Sequence, residues 1–146
     1  MTEHPCPFCE INAGRTPATF VHEWSDAIAI VPLNPVVEGH TLVIPKTHVA
    51  DFAEDPAVSA ATMRRASDLA DRLLSGSMNL ITSRGREATQ SVFHLHLHLV
   101  PRADNDGLAL PWHSGKKKTS LQINVQPRPT DEDAFSRGFA AGRRAR

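Results

Sequence analysis

The segment Phe93-His94-Leu95-His96-Leu97-His98-Leu99 decides the fold of this chain. Histidine and an apolar residue alternate strictly here, and successive side chains of a β-strand point to opposite faces of its sheet. The pattern therefore predicts a strand that carries three histidines on one face. The same alternation predicts that Phe93 and the three leucines face the hydrophobic core. Three neighbouring imidazoles on one face are typical of the wall of a functional site.

The rest of the first hundred residues predicts an α+β domain built around that strand. Apolar and β-branched runs predict four further strands, and the histidine strand itself is expected to reach Val100 and to stop at Pro101. The five predicted strands cover residues 19–23, 27–31, 40–44, 78–82 and 91–100.

Two helices are predicted from capping signals. Asp55 is a favoured N-cap and Pro56 suits the first helical position, so a long helix begins there, and Gly76 is expected at its end. A short helical turn around Cys9 is expected to close at Gly14.

Length and charge indicate one globular domain with a short extension. The 146 residues contain 16 basic and 16 acidic side chains, so no overall field favours nucleic acid or a membrane. Residues 1–112 carry 8 basic and 13 acidic side chains, whereas residues 113–146 carry 8 and 3. We therefore expect an ordered domain over 1–112 and a basic, largely irregular extension over 113–146. The N-terminus lacks the features of a secretory signal, which predicts a cytoplasmic protein without a membrane-spanning helix.

The histidine strand supports two kinds of chemistry, and both stay open on this evidence. Imidazole has an unperturbed pKa of ~6.5, so much of it is neutral at pH 7 and can attack phosphorus. Imidazoles at alternate strand positions can also bind a metal. A catalytic zinc with an activated water, held by His94, His96 and His98, is therefore the alternative.

Cys6 and Cys9 are the two cysteines of the chain. Two cysteines at this spacing are too few for a disulfide framework, but with two histidines they would complete the tetrahedral ligand set of a structural zinc. Free thiols and a redox pair are the alternatives. A redox pair normally follows a strand, and Cys6 lies too near the N-terminus for one.

Three segments together resemble the histidine triad (HIT) family. Residues 90–102, Gln-Ser-Val-Phe-His-Leu-His-Leu-His-Leu-Val-Pro-Arg, are similar to its signature His-φ-His-φ-His-φ-φ, where φ is apolar. Residues 34–49 resemble a second hallmark segment, and residues 6–14 resemble the opening of many bacterial members. The likeness covers about residues 5–102. It implies the HIT-like fold, a five-stranded antiparallel sheet with one long helix and a short N-terminal helix.

The resemblance also implies an activity and a role for each histidine. Family members are homodimeric nucleotide hydrolases and transferases that cleave phosphoric anhydride, phosphoramidate or nucleotide ester bonds, without an organic cofactor. His96 would attack the α-phosphorus and form a covalent nucleotidyl-histidine intermediate. His98 would contact the phosphate or assist protonation of the leaving group, and His94 would orient its neighbours. His40, in a family-like Gly-His pair, is expected to be a structural hydrogen-bonding residue.

The resemblance further implies a zinc site and a phosphate-binding segment. In members that begin with Cys-x-x-Cys, the zinc ligands resemble Cys6, Cys9, His48 and His94. The substrate-binding residues would be Ser83, Thr89, Gln90, Ser91 and Val92, together with His98. Backbone N–H groups and the Ser91 hydroxyl can donate to phosphate oxygens in such a segment.

Three positions depart from the family pattern. Pro32 stands where members usually carry the Asp or Asn that grips the sugar, Ser83 where Asn or Gln is common, and Thr89 where Gly is usual. These departures keep a non-catalytic nucleotide-binding module as a further alternative.

Overall fold

The computed structural model describes residues 5–110, which form a five-stranded antiparallel sheet with two α-helices. This confirms the predicted α+β fold. The strands are β1 (Thr19–Glu23), β2 (Ala27–Val31), β3 (Thr41–Pro45), β4 (Met78–Ile81) and β5 (Leu97–Pro101). The helices are α1 (Pro7–Asn12) and α2 (Pro56–Arg72), and a 3₁₀ turn covers Arg86–Ala88. The strand order is β1-β2-β3-β5-β4. One compact unit ends at Leu108, and the extension predicted for residues 113–146 lies outside the described residues.

Both faces of the sheet are covered by apolar side chains. All five residues of β3 and four of the five in β2 are buried. One face packs against Ala66 and Leu69 of α2, in a cluster with Ala29, Val43, Leu95, Leu97 and Leu99. The other face packs against Phe8 of α1, in a cluster with Ile28, Ile30, Leu42 and Ile44. The strand that carries His98 therefore lies in a sheet that is buried on both sides.

The capping signals place the start of α2 and the end of α1 correctly. The Asp55 carboxylate accepts hydrogen bonds from the N–H groups of Ala57 and Val58, which confirms it as the N-cap of α2. Gly14 follows the C-cap of α1 with φ at +74°, a conformation that suits glycine.

The predicted end of α2 at Gly76 was wrong. The helix ends at Arg72, with Leu73 as its C-cap. The N–H of Leu73 makes an ordinary α-helical bond to the carbonyl of Leu69, and the N–H of Leu74 reaches the same carbonyl across a wider turn. No helix within residues 5–110 has the length and apolar character needed to cross a bilayer.

The histidine strand is shorter than predicted. β5 begins at Leu97, and residues 91–96 are irregular. The N–H of Leu95 donates to the carbonyl of Val49, which lies after β3, at 2.8 Å rather than to a strand of the sheet. Phe93 is half exposed, at 50 %, so the prediction that it faces the core was wrong. The prediction for the three leucines is confirmed, since all three belong to the cluster under α2.

Candidate active site and adjoining metal cluster

His96 presents a reactive nitrogen in a partly buried position. Its Nδ1 lies 2.7 Å from the backbone carbonyl of His94, so Nδ1–H donates there and the lone pair remains on Nε2. Burial lowers the pKa of His96, although the hydrogen bond to the carbonyl acts in the opposite direction. The ring therefore favours its neutral form near pH 7, in which Nε2 carries the lone pair.

Neighbours on several sides fix the position of His96. The ring of Phe8 meets it edge to face at 5.1 Å between centroids, and the ring of His98 does so at 5.0 Å. The hydroxyl of Thr82, just after β4, donates to the backbone carbonyl of His96 at 2.9 Å. Side chain and backbone are both held, which restricts the directions that Nε2 can take.

A chain of hydrogen bonds sets the tautomer of His98. The N–H of Val36 donates to Nδ1 of His40 at 3.1 Å, so the proton of neutral His40 lies on Nε2. That Nε2–H donates to Nδ1 of His98 at 2.9 Å, which leaves the proton of His98 on its own Nε2. Burial, and then the nearby His96 and His40, lowers the pKa of His98 to about 4. Near pH 7 His98 is therefore a neutral hydrogen-bond donor through Nε2–H.

His40 is the member of this arrangement that the sequence analysis did not place in the site. Burial lowers its pKa, and its ring lies 5.2 Å from that of His98. It reaches His98 because β3 pairs with β5 in the register Leu42 opposite His98. The Gly-His pair before β3 was the only sequence signal, and strand pairing of that range cannot be deduced from spacing.

The donor atoms of four side chains form a compact cluster next to the triad. They belong to Cys6, Cys9, His48 and His94, and all lie within 4.8 Å of one another. The two histidine Nδ1 atoms are 3.0 Å apart, and three of the four sulfur–nitrogen separations are 3.3 to 3.6 Å. Zn–N and Zn–S bonds of about 2.0 and 2.3 Å in a tetrahedron separate the donors by roughly 3.3–3.8 Å. The donor set therefore fits zinc in kind and in size.

The protonation of His94 also suits a ligand. Its Nε2–H donates to the carbonyl of Pro45 at 2.8 Å, which leaves the Nδ1 lone pair directed at the cluster. Burial lowers the pKa of His94 and so favours the neutral ring. Burial and the neighbouring Cys6 thiol raise the pKa of Cys9, so its thiolate needs a cation to stabilise it.

Comparison with known proteins identifies the family. The profile of the HIT domain matches residues 13–105. The chain belongs to the HIT family. The protein hit of Bacillus subtilis is 36% identical over 113 residues, covering 73% of this chain and 78% of its own. Adenylylsulfatase HINT3 of Arabidopsis thaliana is 33% identical over 130 residues, covering 85% of this chain and 64% of its own.

Solved structures show the same HIT architecture. A Zn-bound histidine triad family protein from Mycobacterium smegmatis is 36% identical, with a TM-score of 0.62, and the match covers 71% of this chain and 79% of that one. A HIT family hydrolase from Clostridium thermocellum is 34% identical, with a TM-score of 0.63, and the match covers 71% and 96%.

The HIT domain places the expected phosphate-binding residues in different surroundings. Ser91 is exposed and Val92 half-buried, beside a cavity of about 830 Å³ between Pro5–Pro7 and Ser91–Phe93. Ser83 is half-buried after β4, and Thr89 is exposed. Gln90 is buried, and its carboxamide is hydrogen-bonded within the protein. Ser91 and Val92 are thus the members of this set that line the cavity.

Pro32 occupies the loop directly after β2 in this HIT domain. It is half-buried and, as a proline, has neither a side-chain acceptor nor a backbone N–H. The neighbouring Leu33 is 98% exposed. Pro32 therefore offers a ligand neither a side-chain polar group nor an N–H donor.

Proposed function

We propose that this HIT protein is a nucleotide-binding hydrolase or nucleotidyl transferase that cleaves its substrate at the α-phosphorus through a covalent nucleotidyl-histidine intermediate. One observation carries the proposal: Nδ1–H of His96 is tied to the carbonyl of His94, so the lone pair lies on Nε2, which has no hydrogen-bond partner among residues 5–110. Burial lowers the pKa of His96 and so favours the neutral ring. Similarity to a HIT family hydrolase and to an adenylylsulfatase supports hydrolytic chemistry.

The proposed reaction has two steps centred on His96. Nε2 attacks phosphorus, a P–N bond forms, and the leaving group departs with the electron pair of the broken bond. Water or another acceptor then attacks phosphorus, loses its proton to solvent, and the P–N bond breaks to regenerate His96. The ring gains positive charge in the first step, so its Nδ1–H bond to the His94 carbonyl becomes charge-assisted and stronger. This stabilises the transition state more than the ground state.

His98 and the segment after Gln90 would stabilise the developing negative charge. With its proton on Nε2 and a pKa of about 4, His98 stays neutral near pH 7. We therefore assign it a hydrogen bond to a phosphate or leaving-group oxygen. Backbone N–H groups around Ser91 and Val92 and the Ser91 hydroxyl would add further donors, as in other oxyanion-stabilising sites.

We also propose that Cys6, Cys9, His48 and His94 hold a structural zinc. When bound, the ion would supply a cross-link between α1, the segment after β3 and the histidine segment. A second candidate function is a zinc-dependent hydrolase with the triad as ligands. It is favoured by the presence of one triad residue, His94, in the cluster.

One set of experiments tests these candidates. The protein is incubated with nucleoside phosphoramidates, dinucleoside polyphosphates and adenylyl sulfate, and an acid-labile phosphohistidine is sought by mass spectrometry. Covalent catalysis predicts a nucleotidyl group on His96, and turnover that persists when a chelator strips zinc from protein that stays folded. A zinc enzyme predicts that His96→Ala loses metal. A binding module predicts that nucleotides bind and none of the panel turns over.

The same proposal includes a homodimer that works in the cytoplasm. β4 lies at one edge of the sheet with Leu80 and Ile81 partly exposed, whereas the opposite edge, β1, carries a bulge that hinders strand pairing. The free thiols of Cys6 and Cys9 suit a reducing compartment. Light scattering should give twice the chain mass for the wild type and the chain mass for Ile81→Lys.

A further inference from the structure

The segment that leads into the histidines contains a backbone conformation that is rare for its residue type. Thr89 has φ at 69° and ψ at 19°, in the left-handed region. A β-branched residue is an outlier there, because its Cβ approaches the carbonyl oxygen. Such strain persists only where the surroundings hold the chain in place. The neighbouring residues of Thr89 must therefore supply that restraint.

The carboxamide of Gln90 supplies it. Gln90 is buried, with 4% exposed, and its Oε1 accepts from the N–H of Gly85 at 2.8 Å. Its Nε2 donates to the carbonyl of Ala50 at 2.7 Å and to that of Val92 at 3.1 Å. Both side-chain N–H groups are thus engaged within the protein, and Gln90 has no free donor for a substrate.

Backbone hydrogen bonds close the loop around this amide. The N–H of Thr89 donates to Arg86, and the N–H of Gln90 donates to Gly85. The loop that Gln90 contacts through Ala50 is itself held, since the N–H of Ala50 is bound by the carboxylate of Glu54. Gln90 therefore links two loops to the start of the histidine segment.

We infer that Gln90 is a positioning residue, whose buried carboxamide holds strained Thr89 in the left-handed conformation and so orients the backbone of Ser91 and Val92 toward a phosphate. The hydrogen bond to the Val92 carbonyl orients the planar peptide between residues 92 and 93. The N–H of Phe93, on the opposite side of that peptide, consequently points away from Gln90. This inference rests on the proposed function, because it names the residue that arranges the phosphate-binding segment.

A double-mutant cycle tests the inference. Gln90→Met keeps the shape of the side chain and removes its polar atoms, so we expect kcat to fall about 10²-fold, as for a misplaced site. Thr89→Gly in that background removes the backbone strain that would otherwise displace the loop. We therefore expect it to restore at least about half of the loss in log kcat. A direct substrate contact by Gln90 predicts that Thr89→Gly restores nothing, and this result would overturn the inference.

A second readout does not depend on turnover. Amide hydrogen exchange at Gly85 should accelerate in Gln90→Met, because its acceptor is lost. Thr89→Gly alone should raise Tm, whereas the matched Asn105→Gly, at another left-handed position with φ at 58°, should change Tm less because asparagine tolerates that region. Unchanged exchange at Gly85, or a lower Tm for Thr89→Gly, would contradict the inference.

These outcomes separate the inference from the proposed function. If the wild type turns over none of the nucleotide panel, the proposed function fails, while the exchange and Tm measurements still report on the restraint of Thr89. If the wild type is active and the two substitutions act additively on kcat, the inference alone fails. Should Gln90→Met not fold, Gln90→Glu, which keeps one acceptor for Gly85, takes its place in the cycle.

Discussion

The two ends of the histidine row, the set His94, His96 and His98, contain the same side chain in opposite surroundings. His94 is 1% exposed and directs Nδ1 at two thiols and the imidazole of His48. His98 is half-buried and directs Nδ1 at the imidazole of His40. The surroundings of Nε2 differ as well. Nε2–H of His94 donates to the carbonyl of Pro45, whereas Nε2–H of His98 has no acceptor among residues 5–110.

The difference shows that hydrogen-bond partners, rather than residue type, assign each histidine its chemistry. At the His94 end a carbonyl accepts the Nε2–H, so the lone pair on Nδ1 faces the soft sulfur donors of a zinc site. At the His98 end another imidazole donates to Nδ1, so an N–H is left over for a substrate. His96 lies between them and has a free lone pair on Nε2 because its Nδ1–H is engaged.

Substitution of the central residue should have the largest effect. His96→Ala removes the nucleophile, and we expect kcat to fall by about 10³-fold or more while zinc content stays at the wild-type value. Steady-state kinetics and metal analysis measure both quantities. The control is His22→Ala, an exposed histidine on β1. Substantial residual turnover without a trapped intermediate would contradict nucleophilic catalysis.

The His98 end can be altered through its partner. His40→Leu removes the donor to Nδ1 of His98, so the proton can move to that nitrogen and Nε2 loses its N–H. We expect kcat/KM to fall about 10–100-fold, by analogy with the loss when the hydrogen-bond partner of a metal-ligating histidine is removed. His40→Gln keeps an N–H donor and should recover part of the activity. Equal losses in both variants would indicate a packing role only.

The His94 end can be altered through its metal ligands. Cys9→Ser removes one of four donors, and we expect zinc stoichiometry and Tm to fall together. Bound zinc at ~1,000 times its Kd contributes about 4 kcal/mol to the unfolding free energy, which is the upper range of the loss. Ser59→Ala, outside the cluster, is the control. A Tm that does not respond to chelation in the wild type would argue against a structural zinc.

Acidification should destabilise the fold through the histidine row. The pKa of His98 is about 4 in the folded protein and about 6.5 when unfolded, so the unfolded chain binds more protons between these values. The contribution of His98 to the unfolding free energy is therefore fully present above pH 6.5, and it is lost as the pH drops toward 4. Urea titrations at several pH values measure this dependence. A chelator is present so that zinc does not compete with protons for the cysteine thiols. His98→Gln should reduce the slope, and an unchanged slope would contradict the assignment.

The smallest effect is expected from exchanging one zinc ligand for another. His94→Cys keeps a donor at the cluster and keeps the backbone carbonyl that binds Nδ1 of His96. We expect zinc content to be retained, kcat to change less than about 10-fold, and Tm to fall because the hydrogen bond to Pro45, worth about 1 kcal/mol, is lost. A loss of turnover comparable with that of His96→Ala would show that the His94 ring itself is needed for catalysis.

Much of the fold was predictable because its signals are local. The Asp55 cap, the glycine after α1 and the apolar strands follow from neighbouring residues and are confirmed. The start of β5 was not predictable, since the alternation runs through residues 93–96 whether or not a sheet neighbour is present. Leu95 bonds instead to Val49, and Phe93 is left half exposed. Likewise, nothing in sequence predicted that the Gln90 carboxamide would be buried against two loops.

By itself the sequence determined that three histidines alternate with apolar residues and that two cysteines lie near the N-terminus, because side-chain type and spacing are properties of the chain. Only the tertiary structure decided which nitrogen of each histidine is free. That choice depends on Pro45 for His94 and on His40 for His98, and these partners are 49 and 58 residues away along the chain. Antiparallel pairing of β3 with β5 brings these groups together. The carbonyl of Pro45 accepts from Nε2–H of His94, whereas His40 donates its Nε2–H to Nδ1 of His98, and these bonds set the two tautomers.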